Sequence, residues 1–194
     1  MALPATDNFN GTTGDQLVDY NASWTLNDGD FDIVGNATIA PDDAGFCLAH
    51  WNADAFADNQ YAQLVHVDSG FNWLGPAVRV GAAAVTGYTY SCRSSARNLS
   101  RWVAGAETAL AAVGSGTSDN DVLRLEASGT TITPILNAVT DAGLGAQTDA
   151  TIASGSAGIC GYGAAGTSDE GDDWEGGNLG GAPAGNPWYY YAQM

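Results

Sequence analysis

Residues 122–136 read VLRLEASGTTITPIL, and this stretch determines the fold class that the sequence predicts. Apolar and polar residues alternate on either side of the small residues 127–130, as they do in two antiparallel strands joined by a tight turn. The alternation places Leu123 and Leu125 on one face of the first strand and Arg124 on the other. The stretch therefore predicts a β-hairpin.

Similar alternating stretches recur along the chain and are bounded by Gly, Asn, Asp and Ser. Strands are predicted over residues 61–67, 77–80, 88–92, 122–125 and 131–136. Their spacing of about 8 to 12 residues is typical of a sandwich or barrel. We therefore predict an all-β fold with helix below about 10% of residues.

Two segments are less regular. Residues 104–113 (AGAETALAAV) fit either an Ala-rich helix or the second strand of a hairpin that turns at Gly105-Ala106. Pro134 has no N–H to donate to a neighbouring strand, so its strand is expected to lie at a sheet edge or to carry a bulge.

The charge balance is strongly acidic. The chain has 22 acidic residues, five arginines and no lysine, and its formal net charge is −17. Such a surface repels the phosphate backbone of nucleic acids. We therefore expect no nucleic-acid partner.

Targeting signals and reactive side chains are sparse. The first residues, MALPATDNFNG, resemble no export signal, and no apolar run approaches the roughly 18 residues of a membrane span. We expect synthesis in a cytoplasm and no membrane insertion. The three cysteines lie in apolar, strand-like stretches and are expected as buried free thiols. His50 and His66 are expected to be packed residues and not metal ligands.

The last fifteen residues differ in composition from the rest. Residues 1–179 are predicted to form one sandwich, and residues 180–194 a Gly/Pro-rich linker with an aromatic end. That end consists of Trp188, Tyr189, Tyr190 and Tyr191. Exposed aromatic residues are typical interface anchors, so we expect this end to dock on another subunit or a partner. Folding back onto its own sandwich is the alternative.

An ordered series of short motifs spans most of the chain. It comprises D-x-F-x-G-x-x-G-x-x-L over residues 7–17, DNQYAQ over 58–63, GPAVRV over 75–80, LRLEASGTTIT over 123–133, DATIASGSAG over 149–158 and DDWEGGNL over 172–179. This series resembles the concanavalin A-like lectin/glucanase superfamily, and within it the laminin-G-like domains of bacteriophage structural proteins. The resemblance implies a jelly roll of two antiparallel sheets with the first and last strands adjacent.

The glucanases of that superfamily share an E-x-D-x-x-E run, and Glu170, Asp172 and Glu175 match it. In retaining enzymes the two carboxylates lie about 5 Å apart. The run lies between Gly-rich segments without β-branched neighbours, as in a loop. We therefore interpret it as a chance match and expect no catalytic residues, with a glycoside hydrolase as the alternative.

Sandwiches of this kind often tie their terminal strands with calcium. Asp7, Asn8, Asp172 and Asp173 are the candidate oxygen ligands. Solvated turn carboxylates are the alternative, because the regular calcium-loop motif is absent.

Sugar binding by such a fold would use exposed aromatic side chains that stack on a pyranose ring. Trp73 is the first candidate, together with the adjacent Asn72, and Trp51 and Trp102 follow. Trp24 is assigned to the core.

These features favour a non-enzymatic virion surface protein of a bacteriophage, either a capsid decoration protein or a tail appendage. It would act by assembly with other virion proteins or with copies of itself, and by glycan adhesion. A free-standing carbohydrate-binding module is the alternative.

Overall fold

The computed structural model describes residues 3–42, 44–163 and 169–180. This part of the chain contains a short helix, α1 (Leu17–Tyr20), and a series of strands. The strands are β1 (Ala5–Asp7), β2 (Trp24–Asp28), β3 (Phe31–Val34), β4 (Thr38–Pro41), β5 (Phe46–Trp51), β6 (Gln60–Asp68), β7 (Trp73–Val80), β8 (Gly87–Arg93), β9 (Ala96–Val103), β10 (Ala106–Val113), β11 (Val122–Ser128), β12 (Thr131–Leu136), β13 (Val139–Thr140), β14 (Gln147–Thr148), β15 (Ser156–Tyr162) and β16 (Glu170–Asn178).

The strands form two antiparallel sheets that pack face to face. Sheet A has the order β13-β12-β11-β6-β16-β4-β3, with β1 paired to β16 and β14 paired to β12. Sheet B has the order β10-β9-β8-β7-β15-β5-β2. The predicted all-β two-sheet sandwich is confirmed.

The β11–β12 hairpin forms as its sequence predicts. Ser128 pairs with Thr131, and the turn between them contains Gly129 at φ 56. Leu123 and Leu125 are fully buried between the sheets. Pro134 lies opposite Leu125 in β12, the next-to-last strand of sheet A. On the other side of β12, β14 pairs with residues 131–132 and β13 pairs with residues 135–136. Neither strand pairs with Pro134 itself, so no hydrogen bond between strands requires the N–H that proline lacks.

The ambiguous Ala-rich segment is a strand. Residues 106–113 form β10, which pairs with β9 at the edge of sheet B. The turn is at Ala104-Gly105, one residue earlier than predicted, because Val103 pairs with Ala106. Both turn residues have positive φ, 48 and 83, as a two-residue turn between twisted strands requires.

The core between the sheets is centred on three tryptophans. Trp24 meets Trp51 and Trp174 edge to face, with ring centroids 5.3 and 4.6 Å apart. Trp51 and Trp174 stack at 5.4 Å. The prediction that Trp24 belongs to the core is therefore confirmed. The three cysteines are buried thiols, and both histidines are buried, as predicted.

The two ends of the sandwich meet in sheet A, as the resemblance implied. Residues 5–7 of β1 pair with residues 174–176 of β16. The buried Asp7 carboxylate accepts hydrogen bonds from the Phe9 backbone N–H and the side chains of Tyr20, Asn21 and Trp24. Asp7 therefore ties α1 and β2 to the first strand.

Within the described residues, no helix has the length and apolarity needed to cross a membrane.

Candidate binding face on sheet B

The outer face of sheet B carries a row of aromatic side chains. Tyr162 of β15 lies directly opposite Trp73 of β7 on one side and Phe46 of β5 on the other. Directly paired residues point to the same face of a sheet. The row faces outward because Leu74, the neighbour of Trp73, is buried in the core. We call Trp73, Tyr162 and Phe46 the aromatic row.

The row is partly open to solvent. Tyr162 is 53% exposed and Trp73 is half-buried. Phe71, in the loop that precedes β7, is 82% exposed. Most large apolar side chains in the described part of the chain are buried, so this concentration of exposed rings marks a candidate contact surface.

The other half of this face is filled by the protein itself. The ring of Phe46 stacks on Trp102 of β9 with centroids 3.8 Å apart. Because β15, β7 and β8 lie between β5 and β9, the outer face must be strongly concave. A small apolar cluster lies on the same face, and Phe46 packs against it: Leu48, Ala77, Val80 and Cys160. Trp102 is therefore a packing residue on one side of its ring.

The loop before β7 is held in place by hydrogen bonds. Gly70 N donates to the Asp169 carboxylate at 2.7 Å, and Ser94 donates to Gly70 O through both its backbone N and its Oγ. The Asn72 side chain lies against Gly163, next to the aromatic row. The loop thus packs Asn72 against the end of β15.

A cation borders the row. The guanidinium of Arg93, at the end of β8, lies over the Trp73 ring with Cζ 4.5 Å from the centroid. Such stacking is a cation–π contact. One ring face of Trp73 is thereby covered, and a ligand would meet the row beside this pair.

One sequence candidate lies far from this face. Trp51 is 2% exposed and packs in the core against Trp24 and Trp174. The selection of Trp51 as a sugar-binding candidate is therefore wrong, because the side chain points to the inner face of β5.

The acidic run of β16 lies on the opposite surface, the outer face of sheet A. The expectation of a loop is wrong here, because residues 170–178 form a strand that pairs with β6. A bulge at Asp173, with φ 49, interrupts the alternation. It leaves Trp174 pointing into the core.

The two glutamates of this run are held apart. Glu170 pairs with Asp68 and Glu175 with Gln63, positions about 16 Å apart along β6. Glu170 accepts a hydrogen bond from Thr38 Oγ1 of β4 at 2.8 Å, whereas Glu175 accepts one from Tyr61 OH of β6 at 2.5 Å. The carboxylates lean toward different strands, an arrangement unlike the close pair of a retaining glycosidase.

The candidate calcium ligands do not form a metal site. Asp7 is occupied by four hydrogen-bond donors, and Asp172 Oδ1 accepts the Asp173 N–H. Asn8 and Asp173 are exposed. Across residues 3–42, 44–163 and 169–180, no three His, Cys, Asp or Glu side chains are grouped to hold a metal ion.

Solved structures of low sequence identity share this architecture. A carbohydrate binding module from Bacillus subtilis is 15% identical, with TM-score 0.58 over 80% of this chain and 92% of that chain. A Bacillus subtilis protein of unknown function with a galectin-like fold is 7% identical, with TM-score 0.60 over 90% and 94% of the two chains. The chain has a concanavalin A-like jelly-roll fold.

Enzymes share this concanavalin A-like fold. The apo Crh5 transglycosylase is 9% identical, with TM-score 0.56 over 93% of this chain and 86% of that chain. No family model matches the sequence, and no curated protein matches it. The concanavalin A-like fold is thus established by three-dimensional shape, and function has to be argued from the sites.

Sequence reasoning missed Phe46, Tyr162 and Arg93. The first two occupy period-two positions that alternate with core residues in GFCLAHW and AGICGYG, which was an available signal. The contact between Arg93 and Trp73 depends on the pairing of β7 with β8, which sequence alone did not give.

Proposed function

We propose that this domain binds carbohydrate on the outer face of sheet B and catalyses no reaction. The observation that carries the proposal is the aromatic row, in which Trp73, Tyr162 and Phe46 lie side by side across adjacent strands. Aromatic rings offer an apolar face to the C–H groups of a sugar and keep their polar edge in water.

The setting of the row supports this proposal. The loop before β7, anchored by the hydrogen bond from Gly70 N to Asp169, leads directly into Trp73 and fixes the start of the strand that carries it. The exposed Phe71 extends the apolar surface at the same end of β7. The likeness to a carbohydrate binding module supports the same class of ligand by analogy.

Replacing Tyr162 with Ala tests the proposal. Wild type and variant are applied to a glycan array, and hits are titrated by calorimetry. Loss of one stacking ring should weaken binding roughly tenfold, because such a contact contributes about 1 kcal/mol. Val139→Ala is the matched control, since Val139 is 68% exposed but lies in β13 of sheet A.

Two results would contradict the proposal. One is binding that Tyr162→Ala and Trp73→Ala leave unchanged. The other is release of reducing ends from an added glycan by wild type, lost in the double variant Glu170→Gln, Glu175→Gln, because it would identify a glycoside hydrolase.

The virion setting is a proposal of its own, and it rests on the sequence resemblance to bacteriophage structural proteins. Assembly would use residues 180–194, of which 181–194, including the aromatic end Trp188 to Tyr191, lie outside the described residues. The test is whether the polypeptide occurs in purified particles at a copy number set by particle symmetry. Its absence from particles favours a free-standing carbohydrate-binding module.

A further inference from the structure

Four of the five arginines are committed to partners within the protein. Arg79 donates to three backbone carbonyls, Arg97 pairs with Asp141, Arg101 pairs with Asp149, and Arg124 pairs with Glu126 and Gln63. The chain contains no lysine. The supply of positive charge for a ligand is therefore very small.

Arg93 differs from the other four. Its guanidinium donates no hydrogen bond within the described part of the chain, and its contact is the ring of Trp73. The Nε atom is enclosed without a partner. The remaining four N–H groups belong to the two terminal nitrogens, which together match the planar geometry of a carboxylate.

Asp169 does not neutralise Arg93 by direct pairing. Its carboxyl is fully buried, and it interacts with Arg93 electrostatically without a hydrogen bond or ion pair between them. Burial raises the pKa of Asp169 to about 7, so a substantial fraction of this carboxyl is uncharged at neutral pH. The positive charge of Arg93 thus remains available at the border of the aromatic row.

We propose that Arg93 is the specificity-determining residue of this face and selects glycans that carry a carboxylate, such as chains of uronic acid residues. This inference rests on the proposed function, because the sugar ring would lie on the aromatic row while its carboxylate meets the guanidinium. The contact is charge-assisted and bidentate, a strong kind of hydrogen bonding. The net charge of −17 opposes it only at long range, since physiological salt screens beyond about 8 Å.

The experiment compares one oligosaccharide in two forms. An oligogalacturonide and its counterpart with carboxyl groups reduced to alcohols are titrated into wild type by calorimetry. We expect the acidic form to bind at least about tenfold more tightly. Arg93→Gln should abolish this difference, because only the acidic form loses a charge-assisted contact.

A matched control is available on the other sheet. Arg124 also stacks on an aromatic ring, with Cζ 3.6 Å from the Tyr61 centroid, but it is bonded to Glu126 and lies on the outer face of sheet A. Arg124→Gln should keep the full preference for the acidic form. Arg93→Lys keeps the positive charge but lacks the planar guanidinium, so it should keep only part of the preference for the acidic form. This variant provides a second test if Arg93→Gln folds poorly.

The outcomes separate this inference from the proposed function. Equal binding of both forms, or a preference that survives in Arg93→Gln, overturns the role of Arg93 and leaves carbohydrate binding intact. If neither form of the oligosaccharide binds and no arrayed glycan binds, both the role of Arg93 and the proposed carbohydrate binding are overturned.

Discussion

His66 and Asp169 form a buried pair near the loop that carries Phe71 and Asn72. His66 Nε2 lies 3.6 Å from Asp169 Oδ1, and both side chains are fully buried. His66 Nδ1 lies 3.0 Å from Thr117 Oγ1, which in turn donates to Arg93 O. This chain of bonds requires the ring to donate from Nδ1, so Nε2 carries no proton and faces the Asp169 carboxyl without a hydrogen bond.

The pKa values of the pair follow from burial. Burial lowers the pKa of His66 to about 4 and raises that of Asp169 to about 7. Asp119 and Asp121 act on His66, while Asp68 and Arg93 act on Asp169, with smaller effects. The fold therefore favours an uncharged carboxyl next to an uncharged imidazole.

Asp169→Asn should stabilise the protein at high pH. The contribution of Asp169 is fully present below about pH 4 and is lost as the pH rises through 7, because only the folded state retains the proton in that window. The amide oxygen of Asn can still accept the hydrogen bond from Gly70 N, and the side chain does not titrate. The thermal midpoints should be similar near pH 4, and the variant should be higher by at least about 5 °C at pH 8.

Asp119→Asn is the control for this prediction. It removes one negative charge next to the same loop, from a carboxylate bonded to Ser69 on the surface. It should show no such gain at pH 8. If the thermal midpoints of wild type and Asp169→Asn change with pH in the same way, ionisation of Asp169 does not destabilise the folded state.

Strand β7 has a bulge at Arg79, and the side chain of this residue holds three loops together. Arg79 has φ 52 where the register with β15 shifts, and its side chain is 2% exposed. The guanidinium donates to the carbonyls of Asp58, Ile152 and Gly129 at 2.7 to 3.0 Å. These carbonyls belong to loops that border different strands of the two sheets.

Arg79→Met should destabilise the fold strongly. The substitution leaves three carbonyls without their donor, and each such loss costs about 1 kcal/mol or more. We expect unfolding in urea to show a loss of at least about 3 kcal/mol. Arg79→Lys separates charge from geometry, because one ammonium cannot serve three carbonyls. Full rescue by Lys would contradict the hydrogen-bonding role.

For the whole molecule, the repulsion between its many negative charges is the property that salt can change. With a net charge of −17, like charges repel across the compact state more than in the expanded chain. Salt screens this repulsion, and the Debye length falls from about 30 Å at 0.01 M to about 8 Å at 0.15 M. The folded state should gain stability over this range.

The thermal midpoint should therefore rise by several degrees between 0.01 and about 0.15 M NaCl. Calorimetric scans at fixed pH measure this directly. KCl at equal ionic strength should have the same effect, since screening depends on ionic strength and not on the cation. A midpoint that falls with salt would indicate that favourable ion pairs outweigh the repulsion.

Period-two alternation and turn residues by themselves determined the all-β class and the position of most strands. The β11–β12 hairpin and the burial of Leu123 and Leu125 both followed from local patterns. Such patterns are sufficient because alternation fixes the two faces of a strand within a few residues.

Tertiary structure decided which face of each strand is covered. Trp51 and Trp73 both occupy strand-like stretches, yet one packs between the sheets and the other lies on the outer face beside Arg93. The strand at residues 170–178 depends on pairing with β6, because its own residues have low strand propensity. Sequence defines two faces for each strand, but only packing against the second sheet determines which becomes core and which remains free to bind.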